Sequence, residues 1–391
     1  MIELDSQQRR TLLWAGLAVT LAAFDGSVLI LALPAVANDF NARVPALANL
    51  GSVLALGAIG ALPLSTLADR FGRRRLIAIG VAGFSAANLA SAFAPSLIAL
   101  GLIRLVAVVF ESLVGAVATA LIVEEAPPGR RGQAVSALAV AGGVGAAITV
   151  LAYPLVAPHW RSLFAAGGIG LLAVPFVWRG LPEGRTWQRV GPTRSALRVL
   201  LGRPWLARAA VIACFTALTA VLLEPAGLFF TLFASRDLHM SPGLISAVIV
   251  ASGVVGFTCY LAGGYITDRF VRRLPGVVLT AGTAIATGLS FVTGTAGFVV
   301  GNVMWSALAS ASTPVFGAWS GELFPTRARA TAESLGGVSG AIGAIAGLQL
   351  VGFVSESVGL GRAIEVAAAV ALGGAGLILL LPETKGAPLP E

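Results

Sequence analysis

The chain has 391 residues, of which 57% are apolar and 11% are charged, and its mean hydropathy is +0.89. Soluble domains carry about 25% charged residues, so this composition excludes an ordinary soluble protein and indicates a polytopic membrane protein. The net charge of +8 comes from 26 basic and 18 acidic residues. The positions of the basic residues decide whether this charge reflects nucleic-acid binding or membrane topology.

Twelve apolar runs, each of roughly 20 residues and long enough to cross about 30 Å of hydrocarbon as a helix, follow one another along the chain. They lie near residues 12–37, 44–67, 76–95, 97–123, 133–157, 162–180, 207–233, 243–266, 275–294, 297–320, 331–355 and 362–381. The polar start, Met1–Arg10, has no cleavable signal pattern, so the first helix is expected to serve as the insertion signal. The predicted fold is an all-α membrane protein with twelve transmembrane helices.

The basic residues fall on alternate sides of these runs. Twenty-one of the 26 lie at the two termini and in alternate loops, and Arg104 lies inside the fourth run. The other four, in the opposite loops, are Arg43, Arg161, Arg236 and Arg362. This asymmetry is the positive-inside pattern, which places both termini in the cytoplasm and argues against a nucleic-acid partner.

Three short charged signatures of the first half recur about 200 residues later, each at the end of an apolar run. The pairs are Ser65–Arg75 with Gly264–Arg273, Glu125–Arg130 with Glu322–Arg327, and Leu181–Glu183 with Leu381–Glu383. Repeated halves are typical of secondary transporters. The sequence therefore predicts two pseudo-symmetric six-helix bundles, residues 1–180 and 205–391, joined by a cytoplasmic linker at 181–204 that is rich in Pro, Gly and Arg.

The loop Ser65–Arg75, with the sequence STLADRFGRRR, resembles the signature loop of the major facilitator superfamily, and residues 264–273 form a weaker copy. The segment Glu322–Thr331, ELFPTRARAT, and the segment Pro382–Gly386, PETKG, resemble the sugar-porter and organic-ion branches of that superfamily. The resemblance covers essentially the whole chain. It implies two bundles that rock around a central cavity lined by the first, fourth, seventh and tenth helices.

The resemblance also implies that the repeated loops form gates. The candidate gating residues are Asp69, Arg70, Gly72, Arg73, Glu125, Arg130, Asp268, Glu322 and Arg327. A carboxylate at a helix end can accept backbone hydrogen bonds or pair with arginines of the neighbouring bundle, which would lock the two halves together. The alternative is that these are ordinary turn and topology charges. The copies depart from the signature at Ser65, where a glycine is usual, and at Val271, which replaces the turn glycine supplied by Gly72 in the first copy.

The eleventh run carries glycines at positions 336, 340, 343 and 347, which form one smooth helical face. Small faces let membrane helices approach closely and slide. The resemblance implies that this run lines the seam between the bundles, and close static packing is the alternative.

Four charged residues lie inside the predicted membrane segments: Asp25 in the first run, Arg104 and Glu111 in the fourth, and Glu224 in the seventh. Each costs roughly 2.5–3.5 kcal/mol at mid-helix on insertion scales, so each needs a compensating role. The resemblance places all four on helices that line the cavity. They are the predicted substrate and proton site.

Within that site, Arg104 and Glu111 are seven residues apart, so they project from one helix face about 10.5 Å apart along the axis. They can meet only through extended side chains, a water or a substrate, and Asp25 is expected to be the closer partner of Arg104. Glu111 and Glu224 are then the expected proton carriers, because no other intramembrane cation is present in the sequence. The alternative is an ion network that only orients helices.

The tenth run adds Asn302 and Trp305 to the predicted site, as groups that could contact a small organic solute. Each can equally serve as an interhelical hydrogen bond or an interface anchor. Asn88 and Gln349 are further polar candidates.

These observations predict a proton-coupled secondary transporter of an organic acid or sugar-like solute, working by alternating access. The sequence has no GxxxxGK[ST] phosphate loop and a single lysine, Lys385, so the proton gradient is the expected driving force and no cofactor is expected. Three carboxylates against one arginine also permit a cationic substrate, and a proton-driven exporter of organic cations or drugs is the main alternative. Against it, the fifth run lacks the glycine and proline signature of drug antiporters.

Two other functional classes fit less well. A passive channel would need a continuous polar stripe, and an enzyme would need a catalytic constellation, whereas the two histidines, His159 and His239, lie in outer loops. Cys214 and Cys259 lie within apolar runs and indicate neither a disulfide framework nor a metal site. The expected partners are a small-molecule substrate, protons and the lipid bilayer, and the chain is expected to be a monomer in a bacterial inner membrane.

Overall fold

A computed structural model describes residues 6–65, 71–126, 131–157, 159–183, 202, 205–325 and 329–384. Across those ranges the regular elements are all helical: twelve helices, the sixth in two segments, and a short 3₁₀ turn after the twelfth. They are α1 Ser6–Asp39, α2 Val44–Ser65, α3 Arg73–Ser91, α4 Leu97–Glu125, α5 Arg131–Val156, α6 Trp160–Gly167 with Gly170–Gly180, α7 Trp205–Arg236, α8 Pro242–Arg269, α9 Arg273–Ser290, α10 Gly294–Leu323, α11 Arg329–Val358 and α12 Leu360–Leu377. Each corresponds to one predicted apolar run, so the predicted all-α fold is confirmed.

Helix length and composition identify the membrane spans among these elements. Within the described ranges, eight of the helices are long and apolar enough to cross a membrane. Of the others, α2 is apolar over Val44–Gly60, and α3, α9 and α10 do not reach the same hydropathy in their described residues. Helices α3 and α9 begin with arginines, and α9 and α10 are rich in glycine, serine and threonine, which lowers their hydropathy without interrupting the helix.

Local signals in the sequence account for where several helices begin. The Ser96 hydroxyl caps α4 by accepting the Ala99 N–H at 3.2 Å. Ser241 caps α8 in the same way at 3.3 Å, and Pro242 follows it at the first helical position, where its missing N–H costs nothing.

The described residues group into two compact units. The first comprises residues of 1–42 and 56–192, and the second comprises residues of 43–55 and 193–391. In the first unit α1 packs against α5 and α6, and α3 packs against α4 and α6. In the second unit α7 packs against α11 and α12, and α9 packs against α10 and α12. The same helix pairs therefore recur six helices later, as the repeated signatures predict. Most of the predicted linker, 181–204, lies outside the described residues, and its role stays a prediction.

Glycine allows one helix pair in each unit to touch through its backbone. A Cβ atom at Gly145 of α5 would lie 2.0 Å from the Thr20 carbonyl oxygen of α1. Cβ atoms at Gly343 and Gly347 of α11 would each lie 2.1 Å from a carbonyl oxygen of α7. Any larger residue would force these helices apart. The glycine face predicted for the eleventh run thus packs against α7 inside the second unit. This arrangement corresponds to close static packing, the alternative to a seam between the bundles.

Candidate functional site

Three of the predicted intramembrane charges meet in the first unit. Arg104 of α4 bonds two carboxylates. Its Nη1 lies 2.6 Å from Asp25 Oδ1 of α1, and its Nη2 lies 3.0 Å from Oε1 of Glu111, which is about two turns further along α4. The Arg104 and Asp25 side chains are each 1% exposed, whereas the Glu111 side chain is 14% exposed. One guanidinium therefore serves two carboxylates, and only Glu111 has a share of accessible surface.

The surroundings of Arg104 complete this cluster. Asn88 of α3 is fully buried, and its Oδ1 accepts a hydrogen bond from Arg104 Nη1 at 3.1 Å. The Phe164 ring of α6 lies under the guanidinium at 5.5 Å, a cation–π contact. Among the described residues, nothing hydrogen-bonds to Asp25 Oδ2, Arg104 Nε or Asn88 Nδ2. The cluster thus retains both donors and acceptors for a polar guest or for water.

The charges of the cluster do not balance. With both carboxylates ionised, one arginine faces two negative charges, leaving a net charge of −1, and one bound proton makes the cluster neutral. In a buried site an unbalanced charge is costly, so a net charge of −1 favours binding of a proton or a cation. The arrangement can therefore hold a proton on a carboxylate, and an anion could bind the guanidinium only if a carboxylate is protonated.

Glu224, the fourth predicted charge, belongs to the second unit. It precedes Pro225 in α7 and is exposed on its helix. The described part of the chain gives its carboxylate no hydrogen bond or ion pair. It stays a candidate proton carrier on the evidence of its position alone.

Of the two polar residues predicted on α10, Asn302 bonds its own helix backbone in the described part of the chain. Asn302 is 2% exposed, and its Nδ2 donates to the Phe298 carbonyl one turn earlier at 2.8 Å. Trp305 is half-buried. In the same unit, Gln349 Nε2 donates to Asn49 Oδ1 at 2.9 Å and to Ser52 Oγ at 2.8 Å. A substrate contact by Asn302 would have to use its side-chain oxygen. The roles of Asn302 and Trp305 in substrate binding stay predictions.

The repeated loops are the second candidate site. In the first unit, the LeuProGlu signature caps the start of a helix. Glu183 Oε1 accepts the backbone N–H of Arg73 at 2.7 Å and that of Arg74 at 3.4 Å, at the start of α3. Gly72 precedes this start with φ of 86°, a left-handed conformation that favours glycine. The carboxylate satisfies two of the free N–H groups of the first turn and complements the helix dipole.

The second copy repeats the cap with different backbone geometry. Glu383 accepts the N–H of Arg272 at 2.8 Å and that of Arg273 at 3.0 Å, at the start of α9. Arg272, the residue before α9, has helical φ and ψ of −76° and −40°. No left-handed residue is therefore needed at this turn, which explains why Val271 can replace the glycine found at position 72.

Each cap is accompanied by an ion pair to the end of the neighbouring helix. Arg73 Nη2 lies 2.5 Å from Glu124 Oε1 in the first unit, and Arg272 Nη2 lies 2.8 Å from Glu322 Oε1 in the second. Glu322 lies beyond the apolar run 297–320, and the hydrogen bond from Arg272 holds its pKa below the ordinary value for a glutamate. Arg73 thus pairs with Glu124, the residue before the predicted gating residue Glu125, which is 7% exposed.

Several predicted gating residues cannot be placed. Asp69, Arg70, Arg130 and Arg327 lie outside the described residues, and for Asp268 only the helical backbone in α8 is described. Their gating roles stay predictions.

Sequence reasoning missed two parts of these sites. The contact of Phe164 with Arg104 joins residues 60 positions apart that no motif links. The capping role of Glu183 and Glu383 was also missed, although their recurrence in both halves was a usable signal.

The sequence profile of the Major Facilitator Superfamily matches residues 15–233 and 225–391. A relative from Cupriavidus pinatubonensis, named as a probable 4-methylmuconolactone transporter, is 27% identical over 97% of this chain and 92% of its own length. A puromycin resistance protein from Streptomyces alboniger is 36% identical over 41% of this chain and 34% of its own length.

Among solved structures, a bacterial homologue of the human lysosomal transporter Spinster superposes with a TM-score of 0.82. It is 17% identical in sequence, and the match covers 96% of this chain and 97% of that one. The likeness extends over the whole fold.

Proposed function

The chain belongs to the Major Facilitator Superfamily and is a multi-pass membrane transporter, and we propose that it couples proton movement to the transport of a small organic acid or sugar-like solute by alternating access. It acts as a monomer in a bacterial inner membrane with both termini in the cytoplasm, driven by the proton gradient without a cofactor. The observation that carries this proposal is the sharing of Arg104 between Asp25 and Glu111.

The geometry of the shared arginine suggests how an acid and a proton are coupled. A substrate carboxylate binding Arg104 Nη2 would take the position that Glu111 holds at 3.0 Å. Glu111, displaced from its cation in low dielectric, would then bind a proton, because an unpaired buried carboxylate is costly. The substrate anion and the proton would therefore load together and leave together. Asp25 stays on Nη1 and keeps the guanidinium in place.

The loops serve as gates in this proposal. Glu183 and Glu383 cap the helix starts, and Arg73 and Arg272 pair with the ends of neighbouring helices. In the proposal these contacts support the two loops whose sequences include Asp69 and Asp268. Loss of the Asp69 carboxylate is then expected to slow turnover while leaving substrate binding intact.

Export of organic cations or drugs in exchange for protons is the second candidate function. It is favoured by the similarity to a puromycin resistance protein over 41% of this chain. The presence of three intramembrane carboxylates and one arginine fits a cation as well as a proton. The two candidates differ in the charge of the substrate and in the direction of movement.

Reconstituted proteoliposomes with an alkaline interior distinguish these functions. We expect radiolabelled 4-methylmuconolactone, for which the Cupriavidus relative is named, or D-xylose, for which a structurally similar proton symporter is named, to accumulate above the external concentration. A proton ionophore should abolish the accumulation. Puromycin is the matched cationic probe, measured in vesicles with an acidic interior. Accumulation of puromycin alone would favour the export function, and equilibration of all three probes without uphill movement would overturn proton coupling.

A further inference from the structure

A cavity of about 280 Å³ lies inside the second unit, away from the charged cluster of the first. Residues of α7, α9, α10 and α12 line it, and none of the described lining residues is charged. Its size is near the lower end of the range for ligand pockets, roughly 300–1,000 Å³. Neither Glu224 nor Asn302 of the predicted transport site contributes to its lining.

Five of the described lining residues carry hydroxyl groups, and four of these hydroxyls already donate a hydrogen bond. Thr219, Thr283, Ser312 and Thr313 each donate to a carbonyl of their own helix three or four residues earlier, at 2.7–3.2 Å. Their oxygens can then offer only lone pairs to a guest. The polar lining is therefore rich in acceptors and calls for a guest that donates hydrogen bonds.

The fifth hydroxyl, that of Thr280, differs from the others. Thr280 lines the cavity and is 7% exposed, and its Oγ1 has no hydrogen-bond partner among the described residues. A buried hydroxyl without a partner is unfavourable, and the threonine hydroxyl has two accessible rotamers in a helix. Thr280 is thus available both to donate to a guest and to accept from it.

Aromatic rings form the apolar part of the wall. Phe215 and Phe316 lie with their ring centroids 4.8 Å apart and their planes at 31°. Both also line an adjoining cavity of about 500 Å³, together with Ser312 and Thr313. The second cavity extends to the end of the unit where Phe324 and Leu381 lie. The shared walls make the two cavities neighbours.

We propose that the smaller cavity binds an uncharged aromatic alcohol of the phenol class. Its ring would lie against Phe215 and Phe316, and its hydroxyl would donate to the acceptor oxygens and accept from Thr280. A carboxylate does not fit, because none of the described lining residues carries the positive charge that a buried anion requires. A saturated chain does not fit either, since it would leave Thr280 unpaired. This site is additional to the proposed transport site and does not depend on it.

The test measures binding of 4-fluorophenol to the purified full-length protein by fluorine NMR titration. 4-Fluoroanisole has the same ring without the donor, and 4-fluorobenzoate carries a charge. We expect 4-fluorophenol to bind roughly three- to tenfold more tightly than the anisole, the worth of a net hydrogen bond. We expect no saturable binding of 4-fluorobenzoate that depends on Thr280.

Four variants locate the site. Thr280→Val should remove the preference for the phenol over the anisole, and Ala309→Leu, which fills the cavity, should weaken both. Thr287→Val is the matched control, because Thr287 is a buried hydroxyl on the same helix that donates to the Thr283 carbonyl and does not line the cavity. Arg104→Lys should leave phenol binding unchanged.

Each result decides the proposal. A loss of preference in Thr280→Val but not in Thr287→Val supports it. Equal binding of the phenol and the anisole to the unaltered protein overturns it, as does the absence of saturable phenol binding, which would mean that water alone occupies the cavity. Loss of phenol binding in Arg104→Lys would assign the phenol to the charged cluster and also overturn it.

Discussion

Arg104 Nη1 lies 2.6 Å from Asp25 Oδ1, and the two side chains are each only 1% exposed. This pair joins α4 to α1 at a depth where an unpaired charge would be very costly. Glu111 is the second and more accessible carboxylate partner of Arg104. The cluster therefore has a fixed pair, Arg104 with Asp25, and an exchangeable pair, Arg104 with Glu111.

Replacement of Glu111 by Gln should abolish pH-gradient-driven accumulation while leaving downhill exchange of substrate intact. The amide resembles the protonated acid and cannot release a proton. Accumulation and counterflow would be measured in the same proteoliposomes, with Glu224→Gln as the parallel variant. Full accumulation by both variants would show that neither carboxylate alone is essential for coupling.

Replacement of Arg104 by Ala should destabilise the protein by about 3–5 kcal/mol, because it leaves two carboxylates unpaired in a buried site. The matched control is Arg362→Ala, since Arg362 pairs with Glu365 at an exposed position where loss of the pair costs no more than about 1 kcal/mol. Chemical denaturation in detergent would measure both. The double variant Arg104→Ala with Asp25→Asn should recover part of the loss, and equal effects of the two arginine variants would contradict the buried-pair interpretation.

Replacement of Glu183 by Ala should lower stability by about 1 kcal/mol, the cost of losing a helix cap, and Glu383→Ala should have a similar effect. The carboxylates hold the N–H groups of Arg73 and Arg272 at the starts of α3 and α9. Thermal unfolding of the purified protein would measure the change, with the exposed Glu356→Ala as control. If the capping variants unfold at the same temperature as the control, the caps are not significant for stability.

Acidification should weaken the interaction of Glu322 with Arg272. The pKa of Glu322 is lower in the folded protein than its ordinary value of 4.5, because Arg272 donates a hydrogen bond to the carboxylate. This contribution is therefore fully present above about pH 4.5 and is lost as the pH falls through the lower folded value. The melting temperature should fall less steeply below pH 4.5 in Glu322→Gln than in the unaltered protein, and parallel curves would exclude a role for this group.

Cysteines introduced at Arg74, Arg131 and Arg194 should be shielded from an impermeant thiol reagent added to intact cells, whereas a cysteine at Arg236 should react. The expectation follows from the asymmetric distribution of basic residues between the two sides of the membrane. The background variant would carry serine at Cys214 and Cys259. Labelling of the first three positions from outside would reverse the proposed orientation.

The sequence alone was sufficient for the helices, their number and the two-fold repeat. Twelve apolar runs predict twelve helices because a chain that crosses hydrocarbon must satisfy its backbone hydrogen bonds within each segment. Recurrence of the charged signatures 197–200 residues apart predicts the repeat. The cost of burying charge also singled out Asp25, Arg104 and Glu111 before any contact was known.

Tertiary structure decided which of these residues meet. The sequence suggested a gap of about 10.5 Å between the backbones of Arg104 and Glu111, but the side chains span it and Arg104 bonds both carboxylates. It also decided that Glu124 pairs with Arg73, because adjacent helical residues point about 100° apart and only the packing of α3 on α4 determines which side chain of α4 faces that arginine. Likewise, the hydroxyls that line the second unit's cavity come from three helices, and no spacing along the chain records how those helices pack together.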